Sequence, residues 1–100
     1  MRIKVELSRN AIAFLDQLAP VDRDDFFAEL DRLRAGPSEL LRLSEQYSDP
    51  SISRYVLRRF AFGRGVAKTA IFEYDAARAR MRVLYAGCKG QEKCVRERGS

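Results

Sequence analysis

Beyond a short alternating stretch at its start, this chain changes its hydrophobic spacing once, close to residue 50. Before that point apolar residues recur every three or four positions; after it they alternate. Helical spacing confined to one half and strand spacing to the other argues for an α+β fold in two layers, with helices segregated from antiparallel strands. A length of 100 residues suits one such domain.

Residues 2–7 alternate as Arg2, Ile3, Lys4, Val5, Glu6 and Leu7, the pattern of a half-buried strand. Ser8 offers an N-cap for a helix to about Ala19, with Ala11, Ile12, Leu15 and Leu18 as its apolar stripe and Phe14 beside it. Pro20 interrupts that helix. Asp22, Asp24 and Asp25 then favour the positive end of a second helix, which carries Phe26, Phe27, Leu30 and Leu33 and closes at Gly36-Pro37. Ser38 can cap a third, shorter helix with Leu40, Leu41 and Leu43.

Residues 48–51 read as a loop, and strands are predicted over 52–62, 66–74 and 79–86. Gly63-Arg64-Gly65 turns the first pair. An Ala76-Ala77 reversal would set Glu73 opposite Arg80 and Phe72 opposite Met81, a charge pair and an apolar pair on opposite faces. The expected order is β-α-α-(α)-β-β-β: an antiparallel sheet packed on an N-terminal αα-hairpin, with the first strand at an edge or between strands. The domain is expected to span residues 1–87, with 88–100 a basic tail. Ile12, Leu15, Phe26, Leu30, Leu33, Leu57, Phe72, Met81 and Val83 are the expected core.

Apolar residues make up 46% of the chain and charged residues 33%, a globular mixture. No apolar run approaches the roughly 20 residues of a membrane span, and no signal-peptide stretch opens the sequence, so a cytoplasmic protein is expected. Two cysteines, Cys88 and Cys94, are expected as thiols, and without histidine they make a zinc site improbable. The absence of histidine also leaves acid–base work to Lys, Arg, Tyr or carboxylates. No metal or cofactor is expected.

Charge is divided unevenly. Residues 1–50 hold 7 basic and 10 acidic side chains, whereas residues 51–100 hold 12 basic and 4 acidic. That asymmetry suggests a polyanion or an acidic partner for the second half. Arg54, Arg58 and Arg59 lie on the first meander strand, Arg64 on the turn and Lys68 on the second strand. Arg78, Arg80 and Arg82 share a face of the third by period two, and Lys89 and Lys93 follow. Tyr55, Tyr74 and Tyr85 are interleaved. Cations for phosphates and rings for bases make a surface suited to single-stranded RNA; a solvated or structural role for the same arginines remains the competing reading.

The order of elements, the length and the basic end resemble RelE/ParE-superfamily toxins of type II toxin–antitoxin systems. The stretches that carry the resemblance are Tyr55-Val56-Leu57-Arg58-Arg59-Phe60, the turn Gly63 to Gly65, Ala70-Ile71-Phe72-Glu73-Tyr74-Asp75, and Met81-Arg82-Val83-Leu84-Tyr85-Ala86-Gly87-Cys88-Lys89. The resemblance implies a cognate antitoxin as partner, acidic or amphipathic, covering part of the basic sheet. The RelE branch implies mRNA cleavage on the ribosome, by metal-free attack of a 2′-hydroxyl on the adjacent phosphate. Arg58, Arg82 and Lys89 would then be catalytic, and Arg54, Arg59, Arg64, Lys68 and Lys93 would bind RNA. Thr69 stands where that branch has a middle-strand arginine, with Lys68 one place off, and Val95 lies near the place of its C-terminal tyrosine. The ParE branch implies DNA gyrase as target instead, and an inactive binding module is the third alternative. A homo-oligomer is left open.

Overall fold

The computed structural model describes residues 2–47, 57–63 and 68–88. Arg54, Tyr55, Arg64, Lys89 and Lys93, and the expected tail apart from Cys88, lie outside the described residues. The elements are β1 (Lys4–Leu7), α1 (Arg9–Asp16), α2 (Pro20–Leu33), α3 (Pro37–Leu43), β2 (Glu45–Tyr47), β3 (Leu57–Phe62), β4 (Lys68–Asp75) and β5 (Arg80–Cys88). No helix among them is long and apolar enough to cross a membrane.

Ser8 caps α1 as expected, its Oγ accepting from the Ala11 N–H at 3.2 Å. The helix stops at Asp16, earlier than expected, because Pro20 opens α2 rather than merely interrupting α1. Proline suits a first helical position, where its missing N–H has no partner to lose. The Arg23 guanidinium donates to the carbonyls of Leu15 and Leu18, both at 3.2 Å, covering acceptors that the end of α1 leaves bare.

The strands form one sheet in the order β1-β5-β4-β3-β2. β2 through β5 are antiparallel, but β1 runs parallel to β5 at the sheet's edge, so the sheet is mixed rather than antiparallel throughout. Alternation in a sequence carries a strand's faces and not its direction. β2 falls where the third helix was expected to give way to loop, and β5 runs two residues further than expected, taking in Gly87 and Cys88.

All three helices pack on one face of the sheet. There Leu15, Phe26, Leu30, Leu33 and Leu40 meet Phe60, Phe62, Phe72, Met81 and Val83. One core expectation fails, and another holds on the other face. Ile12 is 45% exposed, because α1 turns Ala11 and Leu15, four residues apart, toward the sheet. Leu57 is buried, but in a second cluster with Ile71, Leu84 and Tyr85. Alternation along β3 puts Phe60 and Phe62 toward the helices and therefore Leu57 away from them.

The β4–β5 hairpin is wider than expected. Asp75 pairs with Arg80, Tyr74 with Met81 and Glu73 with Arg82, so the loop is Ala76-Ala77-Arg78-Ala79. A two-residue loop would demand left-handed or glycine-like backbone in its alanines. The wider loop asks that only of Ala79 (φ 49°), while Asp75 Oδ1 accepts from the Arg78 N–H at 3.2 Å. Further along, Ile71 pairs with Tyr85 and Phe72 with Val83, which leaves Leu84 as the extra residue of a β-bulge. The Leu84 carbonyl accepts from Ser8 Oγ at 2.9 Å, tying the start of α1 to the bulge.

Candidate functional site

Strand parity divides the basic residues between two faces. On β3, Arg58 shares the helix side with Phe60, and Arg59 shares the far side with Leu57. On β5, Met81 and Val83 face the helices, so Arg80 and Arg82 lie on the far face. On β4, Lys68 follows the parity of Ala70 and Phe72 toward the helices. The expected set of Arg58 and Arg82 therefore does not converge on one face.

Arg58 is engaged by the end of α3. Its Nε donates to Ser44 Oγ at 2.6 Å, and one terminal nitrogen donates to the carbonyls of Ser44 (2.8 Å) and Leu41 (3.1 Å). A cation at a helix C-terminus meets bare carbonyls and the negative end of the dipole. Lys68 Nζ lies 3.5 Å from Asp22 Oδ2, with both side chains at most 15% exposed. Beside it, Asp25 Oδ2 accepts from the Gly63 N–H at 2.6 Å. Gly63 takes φ +85°, and a Cβ there would come within 3.2 Å of the Lys68 chain. Asp22 and Asp25, expected only as a helix start, thus also hold the end of β3 and the start of β4.

The far face is organised as rows of cross-strand partners. One row reads Glu6, Arg82, Glu73, Leu57 and Tyr47 across all five strands. Arg82 lies 3.9 Å from Glu73 Oε1, and Arg80 reaches Glu6 Oε1 at 3.5 Å. The next row holds Tyr85, Ile71, Arg59 and Glu45. There Arg59 lies 3.1 Å from Glu45 Oε2 and 5.9 Å above the Tyr47 ring. Four cations (Lys4, Arg59, Arg80, Arg82) and four carboxylates (Glu6, Glu45, Glu73, Asp75) share this face, so its charge is balanced. Such surface pairs are each worth about 1 kcal/mol or less.

Tyr85 is 5% exposed and folds back along its own strand: a Cβ on Gly87 would stand 2.2 Å from its hydroxyl oxygen. Gly87 is therefore required by the ring beside it. A cleft of about 270 Å³ opens where β2 stops short along β3; its charged lining is Glu29, Glu45, Arg59 and Lys68. Small-molecule sites usually run from about 300 to 1,000 Å³. Among the described residues, no group of three or more His, Cys, Asp or Glu could hold a metal ion.

Sequence reasoning missed Tyr47 and Glu45, since β2 was not expected, and it gave Glu73 the wrong partner. Arg78, expected to join Arg80 and Arg82, instead lies in the turn, 3.8 Å from Asp75.

No protein-family model matches the sequence, and no curated protein matches it. Solved structures do share its fold. A mutant of the E. coli toxin RelE in the free state superposes with a TM-score of 0.74 at 11% identity, over 99% of this chain and 96% of that one. The archaeal RelE–RelB complex from Pyrococcus horikoshii gives 0.62 at 14% identity, covering 91% and 99%. The toxin–antitoxin complex RelBE2 of Mycobacterium tuberculosis gives 0.56 at 16%, covering 89% and 100%. The chain carries the fold of RelE toxins along nearly its whole length.

Proposed function

We propose that this protein is the toxin of a type II toxin–antitoxin pair, held by a cognate antitoxin, and that it inhibits translation by cutting mRNA on the ribosome. The fold likeness supports the first part, two of the similar structures being complexes with an antitoxin. The observation that carries the second is the far face itself. Arg59, Arg80 and Arg82 stand there on interior or fully paired strands, and Tyr47 lies beside Arg59.

Rigid strands suit in-line attack, which needs the scissile phosphate and the attacking 2′-hydroxyl held in one geometry. Arg82, mid-row between two carboxylates, is the phosphate-stabilising group. Lys89 remains a catalytic cation proposed from the sequence, and Arg59 holds the strand two sheet spacings away, about 10 Å. Tyr47 offers a face for a base. Arg58 and Lys68 hold the scaffold. Arg54, Arg64 and Lys93 remain RNA-binding proposals from the sequence.

One observation favours a second reading. The balance of charge on the far face, with Arg58 committed to α3, is what a ParE-like protein directed at DNA gyrase would tolerate. The deciding experiment is induced expression without antitoxin, with mRNA 5′ ends mapped and DNA supercoiling and breaks read in parallel. New 5′ ends inside translated frames, lost on Arg82→Ala, are expected. Intact transcripts with damaged DNA would replace the nuclease reading by the gyrase one. Unimpaired growth would overturn both.

A further inference from the structure

A 2′-hydroxyl attacks a phosphate only if something takes its proton, and this chain has no histidine to do so. Four carboxylates lie on the far face, and their settings differ. Asp75, at the end of β4, is taken up by the hairpin turn, its Oδ1 accepting from the Arg78 N–H. Glu45 sits on a three-residue edge strand with its side chain 73% exposed. Glu6 sits on the opposite edge strand, 43% exposed. Glu73 sits on the central strand β4, paired on both sides, with its side chain 24% exposed. A general base must stay within hydrogen-bond reach of its proton, and a side chain on a doubly paired strand is held best for that.

Glu73 is also the cross-strand partner of Arg82, their charged atoms 3.9 Å apart. A phosphate gripped by Arg82 carries its own ribose with it, and the neighbouring position on the row is Glu73. We propose that Glu73 is the catalytic base of this face, accepting the proton of the 2′-hydroxyl next to the phosphate that Arg82 holds. The inference rests on the mRNA-cleavage reading.

The step balances without any other reagent. The O2′–H bond breaks and its proton passes to a Glu73 carboxylate oxygen. The electron pair left on O2′ forms the O2′–P bond. The P–O5′ bond breaks and its pair leaves on O5′, which receives the proton from Glu73 through water. The products are a 2′,3′-cyclic phosphate and a 5′-hydroxyl, and Arg82 donates to the phosphoryl oxygens as charge builds on them.

The test uses the purified chain with ribosomes carrying a labelled mRNA, under single-turnover conditions. Binding is measured separately on the same mRNA with a 2′-deoxy sugar at the cut. Glu73→Gln is expected to slow cleavage about 100-fold or more. Its binding should be unchanged or slightly tighter, because Arg82 loses a competing carboxylate. Glu73→Asp, which keeps the charge but draws it back, should slow cleavage at least tenfold at equal binding. Thermal midpoints near wild type would show that both variants fold, and Glu39→Gln, on the outer surface of α3, should cleave at the wild-type rate. Cleavage by Glu73→Gln within threefold of wild type, or a loss matched by lost binding, would overturn the role of Glu73 and leave the nuclease reading standing. Intact mRNA with the wild-type protein would overturn that reading and this proposal together.

Discussion

On the helix side of the sheet, Arg58 gives its N–H groups to two carbonyls and a hydroxyl at the end of α3, and Lys68 sits sheltered against Asp22. On the far side, Arg82 meets one carboxylate at 3.9 Å and stays 55% exposed. The two sets come from one sheet and are of the same residue types. The helix-side cations are part of the architecture, and removing them leaves polar groups without partners. The far-side cations form looser pairs, each worth about 1 kcal/mol or less to the fold. Density of arginine along a strand is therefore no measure of a binding surface until parity has sorted it.

The largest effects should separate the two apolar clusters. Phe72→Ala, on the helix side, is expected to cost about 3–5 kcal/mol, and Leu57→Ala, in the smaller far-side cluster, about 2–3 kcal/mol, by urea unfolding. Equal losses would mean that the sheet is cored alike on both faces.

The cations give a sharper contrast. Arg58→Ala should cost about 2–3 kcal/mol through lost charge-assisted hydrogen bonds. Arg82→Ala should change stability by about 0.5 kcal/mol or less while weakening retention on immobilised single-stranded RNA. The reverse pattern would mean that parity has been assigned to the wrong faces.

A smaller effect tests the packing of Tyr85. Gly87→Ala should cost about 1–2 kcal/mol, since the added methyl would overlap the ring. In a Tyr85→Ala background most of that cost should vanish, and a double-mutant cycle reads the coupling. An unchanged penalty would place the strain in the backbone instead.

The smallest effect is at the surface. Arg42 donates to Glu39 at 2.6 Å and, chiefly through that bond, holds the Glu39 carboxyl below its ordinary value of 4.5. A depressed carboxylate stabilises the fold above its unfolded pKa, and that contribution is lost as pH falls through the folded value. Wild type should thus melt slightly above Glu39→Gln at neutral pH, and the gap should close on acidification below 4.5. A gap that widens in acid would reverse the sign argued for this pair.

The helices were legible because their signals are local. Ser8 caps what it was expected to cap, and Phe26, Leu30 and Leu33 face the core as their spacing requires. The faces of β4 and β5 were legible too. The hairpin register is off by two residues, and an even shift keeps every side chain on its own face while changing its partner. What alternation could not carry was distance and direction. Nothing local marks β1 as parallel to β5, or Glu45–Tyr47 as a strand paired with β3. The candidate site suffered most, because Arg58, Arg59 and Lys68 look alike in a list of basic residues. Only their neighbours in space, Ser44, Tyr47 and Asp22, tell them apart.

The parallel pairing of β1 with β5 has a consequence for how the protein comes into being. Its contacts join residues up to 76 positions apart, such as Ser8 and Leu84. At ordinary synthesis rates the earlier partner waits roughly 4–15 s for the later one to be made. Until then α1 has no strand β5 to rest on, and Glu6 has no Arg80. Closing so long a loop late also makes folding slow for a chain of this size. Polypeptides cut short within the meander would never complete the far face. A harmful activity seated there would therefore belong only to chains translated through β5.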